Sequence, residues 1–76
     1  MKFSELKIGQ RARVAGLGAG SPLFRQKLIA MGLLPGTEFT VSRVAPLGDP
    51  IEISVRGYAL SLRKYEAEIL KIVECT

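Results

Sequence analysis

A chain of 76 residues with 47% hydrophobic and 24% charged residues is an ordinary globular sequence with room for one small domain, and at this length folding hides only about 60% of the surface of the unfolded chain. It has no histidine, no tryptophan and a single cysteine, Cys75, which excludes an internal disulfide and removes the commonest metal ligand and general base together with the best base-stacking side chain. No stretch approaches the roughly 20 apolar residues that span a bilayer and no signal-peptide pattern opens the chain, so a complete single-domain cytoplasmic protein is expected.

Phe3 to Gly9 predicts one helical turn, with Ser4 as N-cap, Glu5 in the first turn and Gly9 as the stop, docked by Phe3, Leu6 and Ile8. From Gln10 to Gly16 the residues alternate, placing Ala12 and Val14 on one face and Arg11 and Arg13 on the other, as in a strand with one wet side. Gly16, Gly18 and Gly20 then form a loop into Ser21-Pro22, a helix opening in which serine caps free amides and proline has no amide to lose. The segment from Pro22 to Met31 is the one clear helix, ended by Gly32 and the Pro35-Gly36 turn. On its wheel Phe24, Leu28 and Met31 face the core, while Arg25, Gln26 and Ile29 lie toward water.

Three runs rich in β-branched residues follow, Thr37 to Ala45, Ile51 to Val55 and Tyr58 to Leu62. Phe39 and Val41 share a parity that Val44 breaks, which predicts a bulge near Ser42-Arg43. Arg56-Gly57 suits a tight hairpin. Tyr65-Glu66-Ala67 allows one more turn, and Ile69 to Glu74 reads as a closing strand. The whole is a mainly β protein: a small SH3-like β-barrel of about five strands, with one short α-helix inserted after the first strand, in which closure removes the exposed sheet edges.

The run Arg25-Gln26-Lys27-Leu28-Ile29-Ala30-Met31-Gly32-Leu33-Leu34-Pro35-Gly36 resembles the FeoA family pattern of a basic helix ending in a glycine, an apolar pair and a Pro-Gly turn. Val44-Ala45-Pro46-Leu47-Gly48-Asp49-Pro50-Ile51 is similar to the family's next signature, a Pro-Leu-Gly-Asp-Pro loop between strands, and the segments Ser4 to Gln10 and Leu60 to Arg63 also match. Order and spacing together carry the resemblance, which covers essentially the whole chain as one domain, 1–76. The fold also resembles the C-terminal domain of repressors of the diphtheria toxin repressor type. The resemblance implies a partner of FeoB, the GTP-binding ferrous iron transporter at the inner face of the membrane, acting on complex assembly, pore opening or nucleotide turnover.

The chemistry-bearing residues fit binding better than catalysis. One thiol and scattered carboxylates make a poor iron site, with Glu66 and Glu68 read as solvated. The serines have no histidine to activate them, and the Gly16 to Ser21 loop lacks the P-loop lysine. No catalytic, cofactor-binding or metal-binding residue is therefore assigned. Arg25, beside the glycine loop, is the candidate for an arginine finger in trans on FeoB, set against the commoner reading of an exposed helical arginine.

The candidate partner-binding residues are Arg25, Lys27, Ile29, Leu33 and Leu47: an apolar residue on a basic helix, a leucine beyond its end and a leucine in the proline-flanked loop. Leu33 and Leu34 are read either as part of that patch or as a cover over the barrel mouth. The alternative function is nucleic-acid binding through Arg11, Arg13, Arg43, Arg56, Arg63 and Lys64. It is set aside because the five aromatics fall mostly at core-parity positions, so no nucleic-acid partner is expected, and the chain is read as a monomer or a weakly self-associating one.

Overall fold

The computed structural model describes residues 1–75. A 3-10 turn at Phe3–Glu5 leads into strand β1 (Arg11–Leu17), helix α1 (Pro22–Ala30), strands β2 (Glu38–Val44), β3 (Ile51–Val55) and β4 (Tyr58–Leu62), a short helix α2 (Lys64–Ala67) and strand β5 (Leu70–Glu74). All five strands are antiparallel members of one sheet in the order β4-β3-β2-β1-β5. The expected mainly β architecture with one helix after the first strand is therefore present. The expected closure is not made by strand pairing: β4 and β5 each have a single strand neighbour among the described residues.

Local chemistry accounts for most of the chain reversals. Leu34-Pro35-Gly36-Thr37 is a turn closed by the Thr37 N–H donating to the Leu34 carbonyl at 3.0 Å, with proline pre-set at its second position and Gly36 at φ +93° at its third. Arg56-Gly57 connects β3 to β4 with both residues at positive φ, 49° and 87°, the hand that matches the twist of the flanking strands. The parity break in β2 is a register shift between Val41 and Arg43, as the alternation predicted.

The apolar core lies on the inner face of the curled sheet and is built from Ala12, Val14, Phe39, Val41, Ile51, Ile53, Val55, Leu62 and Ile72, with Phe3 and Leu6 packed at one end. The rings of Phe3 and Phe39 lie 6.1 Å apart, tilted by 41°, within the range in which aromatic pairs attract. Ile8 does not join them and is exposed, because the chain leaves the first turn to pair through Gly9, whose N–H donates to the Val41 carbonyl at 2.8 Å. Nor does Ser4 cap that turn: Lys2 holds the N-cap place and its N–H donates to Glu5 Oε1 at 2.6 Å.

Helix α1 contributes a single fully buried residue, Leu28. Its opening has the expected proline at the first position, but the Ser21 side chain makes no capping bond. Its end is stronger. The Gly32 N–H donates to the Ile29 carbonyl at 2.9 Å and the Leu33 N–H to the Leu28 carbonyl at 3.0 Å, the paired reversal that brings the residue after the glycine back against the last turn. Leu28 and Leu33 thereby meet, both 0% exposed.

Gly32 sits at φ +93°, and a β-carbon there would lie 2.6 Å from the Tyr58 hydroxyl oxygen. Gly32→Ala is expected to cost about 1 to 3 kcal/mol through backbone strain and displacement of Tyr58, measurable by urea unfolding, whereas Gly36→Ala, with open space around it, carries the strain alone.

Candidate functional site

The two segments with the most distinctive sequence, α1 and the Ala45–Pro50 loop, meet at α2. Asp49 Oδ1 accepts the Lys64 N–H at 2.9 Å, tying the loop to the start of α2. The ring of Tyr65 lies 5.8 Å from that of Phe24, and Glu66 accepts from the Lys27 ammonium, so the same short helix is bound to α1. The result is a continuous rim of loop, α2 and α1 along one margin of the domain.

The loop is stiff. The Gly48 N–H donates to the Ala45 carbonyl at 2.7 Å and the Ala45 N–H to the Pro50 carbonyl at 3.1 Å, while Pro46 and the Gly48 φ of +89° hold the tip. Leu47 stands on that tip, 97% exposed. An apolar side chain held out on a rigid turn loses little conformational freedom when a partner covers it, which is the condition for an efficient anchor.

Glu66 was expected in solvent and is instead buried. Its Oε1 also accepts the Arg63 N–H at 3.2 Å. The Lys27 hydrogen bond, helped by the Arg63 N–H and by the charges of both residues, holds the Glu66 carboxyl below the usual carboxylate range despite the burial that raises it. The spacing of 39 residues between Lys27 and Glu66 explains why no sequence window reveals the pair. Lys27 is thus committed to fastening α1 rather than left free for a partner.

The linked stability has a definite sign. Because the folded value is the lower one, the Glu66 contribution is complete above the unfolded carboxylate value of about 4.3 and is lost as pH falls below it through the folded value. Lys27→Met is expected to lower stability at neutral pH by about 1 kcal/mol, a figure discounted for the half-exposed ammonium. The gap to wild type should narrow as the solution is acidified, which chemical denaturation at a series of pH values measures directly.

The remaining predicted residues separate. Arg25 is exposed, with no ion pair among the described residues, and Ile29 lies beside it at 41% exposure. Leu33 is a correction to the surface reading: the reversal at Gly32 buries it completely, and Leu34 takes the exposed place. Sequence reasoning missed Leu23, 74% exposed, and Tyr65, 59% exposed. Helical spacing carried the first signal, since Leu23, Gln26 and Ala30 share the arc opposite Leu28 and leave an uncharged outer face flanked by Arg25 and Lys27. Tyr65 and Tyr58 also depart from the expected core parity: both are exposed, and the Tyr58 hydroxyl donates to the Met31 carbonyl at 2.6 Å.

Cys75 follows β5, its N–H donating to the Arg11 carbonyl at 3.0 Å and its Sγ lying 3.7 Å from Glu38 Oε1. No group of three or more His, Cys, Asp or Glu gathers among the described residues in a way that would hold a metal ion. No helix of the described chain is long and apolar enough to cross a membrane.

Comparison with known proteins places this geometry. The FeoA domain model matches residues 1–74. A curated relative from Porphyromonas gingivalis, an Fe(2+) transport protein A/Fe(2+) transporter FeoB fusion protein, is 36% identical over 75 residues; the match covers 95% of this chain and 8% of the length of that relative. The solution structure of the FeoA protein from Chlorobium tepidum is 43% identical, with a TM-score of 0.88, covering 100% of this chain and 71% of the other. At the level of fold alone, the FeoA from Stenotrophomonas maltophilia, solved with zinc and described as a prokaryotic SH3 domain protein, superposes with a TM-score of 0.81 at 24% identity over 96% of this chain and 89% of the other. The same fold occupies part of the T. acidophilum IdeR, with a TM-score of 0.87 at 17% identity over 99% of this chain and 34% of that one. The chain is an SH3-like barrel that belongs to the FeoA domain family, which the fused relative links to ferrous iron transport.

Proposed function

We propose that this domain is a cytoplasmic accessory to ferrous iron uptake that docks on a FeoB-type transporter and acts by binding rather than by catalysis. The observation that carries the reading is the fused relative, in which a domain 36% identical to this chain is joined covalently to FeoB. Two partners that work together gain from being linked, because the second encounter becomes intramolecular at a high effective concentration.

The docking surface is the rim of loop, α2 and α1, with Leu47, Tyr65 and Leu23 as apolar anchors, extended by Ile29 and by Arg25, which has no ion pair among the described residues, on the flank of α1 away from α2. Exposed apolar and aromatic side chains with a basic rim are the composition of a protein interface. Binding shifts the transporter between states only as far as this surface fits one state better than another.

The test is binding of the purified domain to detergent-solubilised FeoB, with and without a GTP analogue. Arg25→Ala should leave the Tm unchanged and weaken binding by about threefold to tenfold through loss of one rim charge, with its effect growing at low salt. A loss of GTPase stimulation in Arg25→Ala with binding intact would instead assign that residue to the hydrolysis transition state. Absence of binding in every nucleotide state would overturn the reading.

A further inference from the structure

We propose that the outer edge of β4 is a second binding site, one that takes an extended peptide strand of a partner carrying carboxylates at both ends. The proposal does not depend on the identity of the partner bound at the α1 and loop surface, which the β4 edge adjoins: the Tyr58 hydroxyl donates to the Met31 carbonyl at the end of α1, and Arg63 lies 4.0 Å from Asp49 of the loop. It begins from the open sheet: among the described residues β4 has β3 on one side and no strand on the other.

The two-residue Arg56-Gly57 turn makes Val55 and Tyr58 a mutually hydrogen-bonded pair, and alternation along an antiparallel ladder assigns the same role to Leu60 and Leu62. The N–H and C=O groups of Ala59 and Ser61 therefore point away from β3. Neither residue finds a hydrogen-bond partner elsewhere among the described residues, and both are exposed. The strand Tyr58-Ala59-Leu60-Ser61-Leu62 contains neither proline nor charge, the devices that ordinarily blunt an edge. The opposite margin is defended, since β5 carries Lys71 and Glu74.

Charge selects the occupant. Arg56 and Arg63 bracket β4 and are exposed; Arg56 has no ion pair among the described residues, and Arg63 has only Asp49 at 4.0 Å. A second copy fits badly, because antiparallel pairing centred on β4 with Ala59 against Ser61 brings Arg56 of each copy towards Arg63 and Lys64 of the other, and like charges directly opposite are destabilising. A foreign strand with an acidic residue at each end meets both arginines favourably. Its main-chain groups bond Ala59 and Ser61, and its apolar side chains follow the face of Tyr58 and half-buried Leu60, the division of labour of strand addition.

The experiment titrates the isotopically labelled protein with a short Val/Thr peptide carrying glutamate at both ends, and with the same peptide carrying lysine there, while amide shifts and hydrogen exchange are followed. Saturable shifts and slowed exchange at Ala59 and Ser61 are expected with the glutamate peptide, which should bind about tenfold or more tightly than the lysine peptide. Ser61→Pro removes an outward N–H without touching a bond to β3 and should weaken binding about tenfold. Arg56→Asp, at a position whose φ of +49° aspartate tolerates, should weaken it about threefold and keeps the test decisive if Ser61→Pro fails to fold. No saturable change at these two amides, equal affinity for the two peptides, or concentration-dependent dimerisation through β4 would each overturn the proposal.

Discussion

Leu33→Asp is expected to leave no folded protein at 25 °C, while Leu34→Asp, one residue on, should keep the wild-type Tm within a few degrees. At roughly 0.05 to 0.15 kcal/mol per residue this chain has a total stability of about 4 to 11 kcal/mol. Truncating a fully buried leucine costs about 2 to 5 kcal/mol, and a carboxylate in the same place adds the loss of its hydration. Leu33 is 0% exposed against Leu28, at the point where the Gly32 reversal seals α1 to the sheet, so the charge has no route to water without undoing that seal. Leu34 is already exposed, and surface exchanges of this kind stay within about 0.5 kcal/mol. Leu33→Ala should fold, with its Tm lowered by about 10 to 30 °C. A wild-type melting curve for Leu33→Asp would return this residue to the interface.

The second large effect concerns partner binding. Leu47→Asp combined with Leu23→Asp is expected to weaken association with solubilised FeoB by about 30-fold or more while the domain melts as wild type does, since one hot-spot anchor carries about 2 kcal/mol, about 30-fold, and the second adds to it without full additivity. Both side chains are mostly in water in the free protein, which separates a binding defect from a folding one. The single variants Leu47→Asp and Leu23→Asp divide the effect between the loop and α1, and Ile29→Asp tests the far flank of the helix. If the double variant binds as tightly as wild type, the rim is not the docking surface, and the β4 edge becomes the surface to test.

The two proposed surfaces differ in what limits them. The rim offers side chains on backbone that is already bonded, so most of its affinity comes from apolar burial, and its salt dependence is the modest one that the Arg25 charge confers. The β4 edge offers main-chain groups between two arginines, so it should select by charge and weaken as ionic strength rises.

What the sequence by itself determined was the part of the fold governed by neighbours a few residues apart. Pro35-Gly36 and Arg56-Gly57 name their turns because φ preferences act at single positions, and the parity break before Val44 locates the bulge because side chains alternate every second residue. The alternating run that gave β1 and the proline-opened helix were legible for the same reason, as was the exposure of Ile29. The tertiary structure alone decided the rest. Leu33 is an apolar residue after a glycine in either reading, and only the position of the sheet beneath α1 turns it inward. Glu66 meets Lys27, Tyr58 meets the Met31 carbonyl, and Asp49 meets the Lys64 amide across spacings of 39, 27 and 15 residues. No local pattern specifies such contacts, because each depends on where the chain has returned in space after several reversals. The open edge of β4 has the same origin: alternation predicts a strand, and only the assembled sheet shows which of its sides has no strand neighbour among the described residues.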